Sequence, residues 1–433
     1  MAINLFFKST KSDIMRKNFW ILCLFVVVFN FQLKAQTIYN TRIFRDDIKT
    51  LHAGIQGEKF LLSIIELDGS NVIDISFDQM SHDTKTFRYK VIHLNADRTP
   101  SDLLTNEYLS GFTNDDITNY TLSVNTTFLY THYSFELRND NIGFKISGNY
   151  AVLIYEDNNS ENPVAQVCFS VVEPKVSVSA NVRANTDIEL SNRLQQIDFE
   201  ISTNGFNYRD PETEFKIVVR QNNRNDNEVK NLKPTFISGN KLSYNNNRQL
   251  IFEGGNEYHR FDISSIYSAS EGVDNVKYEQ PHYEVFLTPN KVQNSKTYMH
   301  NFDVNGKFLI NFQEVFDDVN SEADYLYVHF SLPEKNPFFD GQVYIGGEWN
   351  YNLMDDQSRL QYDNKNEMYY KTILLKQGGY NYQYWFVPKG SKKAIVEKIE
   401  GSYWQTGNEY TIYVYHRGWG ERYDKLIAVK QIE

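Results

Sequence analysis

Short apolar runs that end at turn signals follow one another from residue 37 to the end of the chain. Residues 150–155, which read YAVLIY, are apolar on both faces of a strand, as expected for a strand at the centre of a sheet. Residues 176–180 alternate apolar and polar side chains, and DGS at residues 68–70 is typical of a hairpin turn. No long helical pattern interrupts these runs. The sequence therefore predicts an all-β fold of tandem immunoglobulin-like β-sandwich domains.

The chain of 433 residues is long enough for two or three domains, and two short segments suggest boundaries. One is the Glu-Pro pair at residues 173–174. The other is the acidic and polar segment 317–322, whose spacing does not match a calcium-binding loop and is typical of an exposed linker. We therefore predict an N-terminal β-sandwich over residues 37–173, a middle β domain over 175–318 and a C-terminal β-sandwich over 322–433.

The first 35 residues have the pattern of an export signal. Basic residues cluster between positions 8 and 17, an apolar run covers 19–31, and Leu-Lys-Ala at 33–35 is a small-residue cleavage site before Gln36. Met15 is an alternative start that gives a shorter signal. The apolar run is shorter than the roughly 20 residues that a membrane-spanning helix needs. We therefore predict a signal peptide over residues 1–35 and an exported mature chain.

The mature chain is acidic and has a single cysteine. Residues 1–35 contain five Lys or Arg and one Asp, so their removal lowers the net charge from −11 to −15. Nucleic acids and anionic membrane surfaces need a basic face, and both are excluded as partners on this ground. Cys168 lies in an apolar strand pattern and is predicted to be a buried packing thiol. Without an intramolecular disulfide, hydrophobic cores must hold the fold.

The least generic passage is residues 91–112, VIHLNADRTPSDLLTNEYLSGF. It begins with the alternation of a strand. Thr99 then suits a helix N-cap, Pro100 suits the first helical position, and Gly111 suits a left-handed stop. The passage therefore predicts a strand that leads into a short helical turn near residues 100–110.

Three carboxylates lie in this passage, at Asp97, Asp102 and Glu107. A catalytic carboxylate site is one hypothesis. Local structural roles explain the same residues: an Asx-type turn for Asp97, helix capping for Asp102 and a solvated helix face for Glu107. We favour these structural roles.

The sequence contains no catalytic motif that we can name. The nine histidines are scattered and lack the i, i+4 pair of a zinc-protease helix. A phosphate-binding glycine loop and a nucleophile elbow are also missing from the pattern. We therefore predict no catalytic residue, no metal site, no cofactor and no enzymatic activity.

The C-terminal range carries one hint of small-molecule binding. Gly-x-Trp-Asn around Trp349, followed by GGYNYQYWF at residues 378–386, resembles starch-binding β-sandwich modules, in which tryptophan faces stack on sugar rings. Trp349 occupies the matching position, and Trp404 and Trp419 are further candidate surface aromatics. Gln383 stands near the place of a lysine that is usual in such modules, and an aromatic core explains Trp349 equally well. We favour a structural use of this sandwich.

Eight passages, taken together and in order, resemble the plug protein family of the Bacteroidetes type IX secretion system. They are residues 91–112, 130–133, 147–157, 171–174, 252–257, 322–325, 376–384 and 401–404. The resemblance covers essentially the whole mature chain. Leu94 and Arg98 depart from it locally, since Cys and Trp are expected at these two positions.

The resemblance implies a non-enzymatic role in the periplasm. Proteins of this family resemble stoppers that close the periplasmic opening of the outer-membrane translocon barrel when no substrate is in transit. The implied partner is that barrel protein, without direct insertion of the chain into the membrane. The alternative hypothesis is a periplasmic or surface glycan-binding protein that uses the C-terminal sandwich.

Overall fold

The computed structural model of the chain describes residues 37–111, 114–139, 141–267, 270–294 and 297–433. The signal peptide predicted for residues 1–35 lies outside these ranges. In the described part strands predominate, and each α-helix is a single turn. The prediction of an all-β fold of several sandwiches is therefore confirmed.

The first sandwich contains twelve strands and one helical turn, all between residues 42 and 172. They are β1 (Arg42–Ile43), β2 (Ile48–Ile55), β3 (Ile64–Glu66), β4 (Ile73–Gln79), β5 (Phe87–Leu94), α1 (Thr105–Tyr108), β6 (Leu109–Gly111), β7 (Asn114–Ile117), β8 (Asn119–Leu122), β9 (Thr131–Leu137), β10 (Ile142–Phe144), β11 (Gly148–Glu156) and β12 (Ala165–Val172). One sheet has the order β1-β12-β11-β5-β7, with β3 also beside β12. The facing sheet has the order β2-β4-β9-β8, and β6 pairs with β10 separately.

Alternating side chains build the core of the first sandwich. Ile75 and Phe77 of β4 belong to the same core cluster as Tyr150 and Val152 of β11, and all four are buried. β11 lies between β12 and β5, and both of its faces are buried. The prediction that residues 150–155 form a central strand is therefore confirmed.

The second sandwich begins after residue 176 but is completed at the end of the chain. Its first elements are β13 (Ser177–Arg183), β14 (Leu194–Ser202), α2 (Pro211–Glu214), β15 (Phe215–Gln221), β16 (Phe236–Ser238), β17 (Lys241–Ser243), a 3-10 turn (Arg248–Leu250) and β18 (Ile251–Glu253). One sheet has the order β13-β14-β17-β16, with β18 beside β14. The other sheet consists of β15 and the last two strands of the chain.

The third sandwich occupies the residues between these two parts. Its elements are β19 (His259–Asp262), β20 (Val273–Glu279), β21 (His282–Leu287), β22 (Phe308–Ile310), α3 (Val319–Glu322), β23 (Tyr325–Pro333), β24 (Gly341–Gly346), a 3-10 turn (Glu348–Asn350), β25 (Gln361–Asp363), β26 (Met368–Lys376), β27 (Gly378–Pro388) and α4 (Glu397–Glu400). The sheet β20-β21-β23-β26-β25 faces a sheet in which β19, β22 and β24 all pair with β27. The chain then ends with β28 (Tyr410–His416) and β29 (Lys425–Ile432).

Strand pairing therefore crosses the predicted boundary at residues 318–322. β15 pairs with β28 along its whole length, and β19 and β22 pair with β27. The third sandwich is inserted into the second, and its two connections lie side by side: the Tyr403 N–H donates to the Gly255 carbonyl at 2.9 Å. Local alternation shows where strands lie but not which strands pair, and for this reason the predicted division differs from the observed one.

The segment at 317–322 is a capped helical turn and not an open linker. Asp318 caps α3 by accepting a hydrogen bond from the Asn320 N–H at 3.0 Å. The Glu322 carboxylate accepts from the Phe316 and Asp317 N–H groups, each at 2.7 Å. The acidic side chains of this segment are thus used locally, at the start of a helical turn.

The helical turn predicted near residues 100–110 is present, but it starts later than predicted. α1 begins after Leu104, whose N–H donates to the Glu107 carboxylate at 2.7 Å. The predicted N-cap, Thr99, instead donates to Asp97 in the expected Asx-type turn. Capping by Asp102 was therefore a wrong prediction, because the helix starts about one turn further along the chain. Glu107 lies on the helix with a partly exposed side chain and supplies the capping carboxylate.

Candidate functional site

A polar cavity of about 200 Å³ lies where the three sandwiches meet. The side chains that line it come from all three. Among the polar ones are His52, Arg98, Asn149 and Cys168 of the first sandwich, Arg220 and Asn223 of the second, and Lys307, Glu348 and Asn352 of the third. The sequence alone predicts no such cavity, because its walls come from segments that are far apart in the chain, from Asn40 to Tyr413.

Glu348 is the acidic group at the cavity wall. Burial raises the pKa of its carboxyl to about 7, against the opposing effects of the Lys307 charge and a hydrogen bond from Asn223. The Asn223 amide donates at 3.1 Å, and Lys307 itself pairs with Glu409 at 2.7 Å. The cavity therefore contains a carboxyl that changes its charge near neutral pH.

Arg98, one of the two departures from the family pattern, connects the first and second sandwiches. Its backbone is left-handed, with φ of 64°, and its guanidinium pairs with Glu228. Arg220 and Lys230 pair with the same carboxylate at 3.0 and 2.5 Å, so one acid serves three cations. Cys168, partly buried, lies at the same cavity wall, and burial raises the pKa of its thiol to about 12. The thiol is therefore protonated at physiological pH, as expected for a packing group.

A buried ion pair joins the first and third sandwiches. Asp78 of β4 and Lys376 of β26 approach to 2.6 Å, and each side chain is 1% exposed. His132 and the Tyr325 hydroxyl also contact the Asp78 carboxylate, at 2.7 and 2.6 Å. The Lys376 ammonium lies 4.2 Å from the centre of the Tyr130 ring. Every strong charge in this cluster has a partner, as buried charges require.

The pKa values of Asp78 and Lys376 are both lowered, for different reasons. Burial by itself raises the pKa of the Asp78 carboxyl, but the charge of Lys376 and the hydrogen bond from His132 lower it overall. Burial lowers the pKa of the Lys376 ammonium, and the attraction of Asp78 only partly offsets it. We conclude that the charged pair depends on close contact between the two sandwiches.

Residues 95–102 of passage 91–112 contact the C-terminal strands and the turn between them. The Ala96 N–H donates to the buried carboxylate of Asp424 at 2.9 Å. Arg417 pairs with Asp424 at 2.8 Å and also donates to the Asn95 side chain at 2.5 Å. Arg422 donates to the Asp102 carbonyl at 3.0 Å. The passage thus serves as a docking element within the molecule.

The three predicted surface tryptophans occupy three separate neighbourhoods. Trp349 packs in the third sandwich: its indole N–H donates to the Asn381 carbonyl at 3.0 Å and its ring stacks on Phe330. The Trp404 backbone forms hydrogen bonds with Asn192 and Gln195 of the second sandwich, and Trp404 is 38% exposed. Trp419 is 82% exposed and lies in the β28–β29 turn. Trp349 is thus engaged in packing, whereas Trp404 and Trp419 keep exposed surface.

Two comparisons with known proteins bear on this architecture. The family model described as "Type 9 secretion system plug protein 1st domain" matches residues 48–173, which are most of the first sandwich. A crystal structure of a hypothetical protein from Parabacteroides merdae is similar over 92% of this chain and 100% of its own, with 41% identity and a TM-score of 0.90. A search of curated proteins found no match.

This chain belongs to the type 9 secretion system plug protein family.

Membership in the plug family connects the protein with the type 9 secretion system, and no catalytic family is indicated. Within the described ranges, no group of three or more His, Cys, Asp or Glu side chains could hold a metal ion. None of the helices described here has the length and apolar character needed to cross a membrane.

The sequence of this plug-family protein contains a signal for the buried ion pair. Asp78 stands in the apolar strand ISFDQM, and Lys376 ends the apolar run TILLK. A charged residue within such a run is a candidate for a buried, paired charge. The identity of the partner is not encoded locally, because the two residues lie 298 positions apart.

Proposed function

We propose that the mature chain is a periplasmic plug that closes the periplasmic opening of the type 9 outer-membrane translocon while no substrate is in transit. The observation that carries the proposal is the match of the first sandwich to the plug family model. The implied partner is the barrel protein of the translocon, and the protein needs no catalysis for this role.

Stiffness is the physical property that suits this role. A plug must resist passage through a wide pore without deforming, and three sandwiches cross-connected by buried contacts meet that need. Asp78–Lys376 connects the first to the third, and Arg98–Glu228 connects the first to the second. The Arg224 guanidinium lies 4.3 Å from the centre of the Trp385 ring, which connects the second to the third. Each pair of sandwiches is therefore connected.

Affinity isolation from outer membranes tests the proposal. We expect the tagged mature protein, expressed from its own signal, to recover the translocon barrel, as identified by mass spectrometry. A tagged periplasmic protein of similar size and charge is the control. Recovery of the barrel at the control level would contradict the proposal.

Deletion of the gene tests the closing role separately from binding. An open translocon admits bulky polar antibiotics that an intact outer membrane excludes, so the deletion strain is expected to become more sensitive to them. Expression of the wild-type chain should restore resistance. Unchanged sensitivity in a strain with an assembled translocon would argue against a closing role.

The glycan-binding alternative is supported only by the exposure of Trp404 and Trp419, since Trp349 is engaged in packing. It predicts calorimetric heats with α-glucans that are lost in Trp349→Ala and Trp404→Ala. Titrations of the wild-type protein that show no binding heat across a glycan panel would contradict this alternative.

A further inference from the structure

Trp419 is a large apolar side chain presented to solvent on a firmly held turn. The turn joins β28 to β29, and its tryptophan is 82% exposed. Burying such a ring against a partner removes more apolar surface from water than almost any other single side chain can. Nothing in the packing of the second sandwich requires Trp419 to be a tryptophan, because most of its ring contacts solvent.

The conformation of the turn is set by contacts on both sides. The Gly418 N–H donates to the Glu421 carboxylate at 2.8 Å, and the Glu421 N–H donates to the Gly418 carbonyl at 3.0 Å. The Arg417 N–H donates to the Glu214 carbonyl at 2.9 Å, and Arg422 pairs with Glu107 of α1. The backbone that carries the tryptophan therefore does not have to be ordered on binding, which lowers the entropic cost of association.

A guanidinium accompanies the exposed ring. The Arg209 guanidinium lies 5.4 Å from the centre of the Trp419 ring, within cation–π distance. Among the described residues no carboxylate forms an ion pair with Arg209, which is exposed. An exposed arginine without an acidic partner in the described residues is available to a carboxylate of a partner.

A groove continues the surface beside the turn. Its walls include the partly buried side chains of Leu103, Ile146 and Tyr423, together with the charged side chains of Glu107, Glu421 and Arg422. An exposed tryptophan beside an arginine has the composition of binding hot spots in protein interfaces, and the groove adds partly exposed apolar surface next to them.

We infer that Trp419 and Arg209 anchor the protein to an acidic and apolar periplasmic segment of the translocon barrel protein. The inference rests on the proposed plug function and names the surface that performs it. The indole and the groove take an apolar side chain of that segment, and Arg209 pairs with its carboxylate. Passage 91–112 has a matching role, because it supports the turn from the side of the first sandwich.

The test uses the full-length tagged chain and compares single variants in outer-membrane isolation. We expect Trp419→Ala to reduce barrel recovery at least tenfold, and Arg209→Glu to reduce it by a similar factor, since the new carboxylate repels an acidic partner. Trp404→Ala is the matched control and is expected to stay within twofold of wild type. Trp419→Phe should recover part of the binding.

The outcomes separate the inference from the proposed function. Recovery of the barrel by wild type and equally by Trp419→Ala would overturn the anchor and leave the plug function standing. Failure of wild type to recover the barrel would overturn both. Melting curves of the purified variants check folding, and unchanged midpoints are expected, because substitutions at exposed positions rarely alter stability.

Discussion

Charged side chains are buried where the sandwiches meet. Asp78 and Lys376 are almost completely excluded from solvent, and Arg98 reaches Glu228 across another junction. Such pairs contribute little net stability compared with apolar groups of the same shape, but breaking one of them leaves an unpaired buried charge. They therefore favour one relative orientation of the sandwiches over others that are equally apolar.

Replacing Lys376 with Met should destabilise the protein strongly. The Asp78 carboxylate would then stay buried without its cation, at a cost of about 3–5 kcal/mol in the free energy of unfolding. Denaturant titration followed by tryptophan fluorescence measures this loss. The double variant Asp78→Asn/Lys376→Met should lose less than the sum of the single variants, because it removes both charges.

The control for this experiment is Lys241→Met, which breaks the exposed pair with Glu200. Exposed pairs contribute about 0–1 kcal/mol, so the midpoint should hardly change. Equal effects of the Lys241 and Lys376 variants would contradict the importance that we assign to burial.

Glu348 should make stability fall as the pH rises toward neutral. Burial raises the pKa of its carboxyl to about 7 in the folded chain, above the ordinary value of 4.5. Between these two pH values the folded chain holds a proton that the unfolded chain has lost, so its stability decreases with increasing pH. Above pH 7 this contribution is constant.

We expect Glu348→Gln to be more stable than wild type at pH 8, by at most about 3 kcal/mol, and close to wild type at pH 4.5. Thermal melts across this range measure the difference. Glu161→Gln, at an exposed loop position, is the charge-matched control. A Glu348→Gln variant whose advantage over wild type does not grow with pH would show that the carboxyl does not titrate in this window.

At the scale of elements, β28 and β29 determine the integrity of the second sandwich. They supply two of the three strands of one sheet, and Ile412 and Val414 pack in its core. The same hairpin contacts the first sandwich through Tyr415, whose hydroxyl donates to the Asn149 side chain at 2.9 Å. The hairpin therefore couples two cores.

Truncation after residue 408 should unfold the second sandwich and leave the other two largely intact. β15 would lose its partner strand β28, and the core of the second sandwich would lose most of one of its two sheets. Limited proteolysis should then cut first between residues 175 and 253, as read by mass spectrometry of the fragments. Deletion of residue 433 alone, which lies beyond β29, is the control, and a protected 175–253 range in the truncated chain would contradict the expectation.

At the scale of the whole molecule, the third sandwich is an insertion in the second, and the two connections between them lie next to each other. The chain passes from the second sandwich into the third near Gly255 and returns near Tyr403, and these two residues are joined by a backbone hydrogen bond. Insertions with neighbouring ends are tolerated because they leave the host domain undisturbed. Buried contacts then connect the insert to both other sandwiches.

Residues 255–403 should therefore fold when expressed alone. Their core is contributed entirely from within this range. We expect a β-type circular dichroism spectrum and a cooperative melt, with a midpoint below that of the full chain because the contacts with Asp78 are lost. Residues 322–433, the predicted C-terminal domain, are the comparison and should not melt cooperatively, since they lack β19 and β22.

The sequence by itself determined the fold class, the position of strands such as β5 and β11, and the resemblance to the plug family. Alternation and turn chemistry are local properties, so they can be read from neighbouring residues. Only the tertiary structure decided that the last two strands complete the second sandwich, that Lys376 pairs with Asp78, and that Trp419 is exposed while Trp349 is packed. These facts depend on contacts between residues that are far apart in the chain, and a period-two pattern does not specify its partner strand.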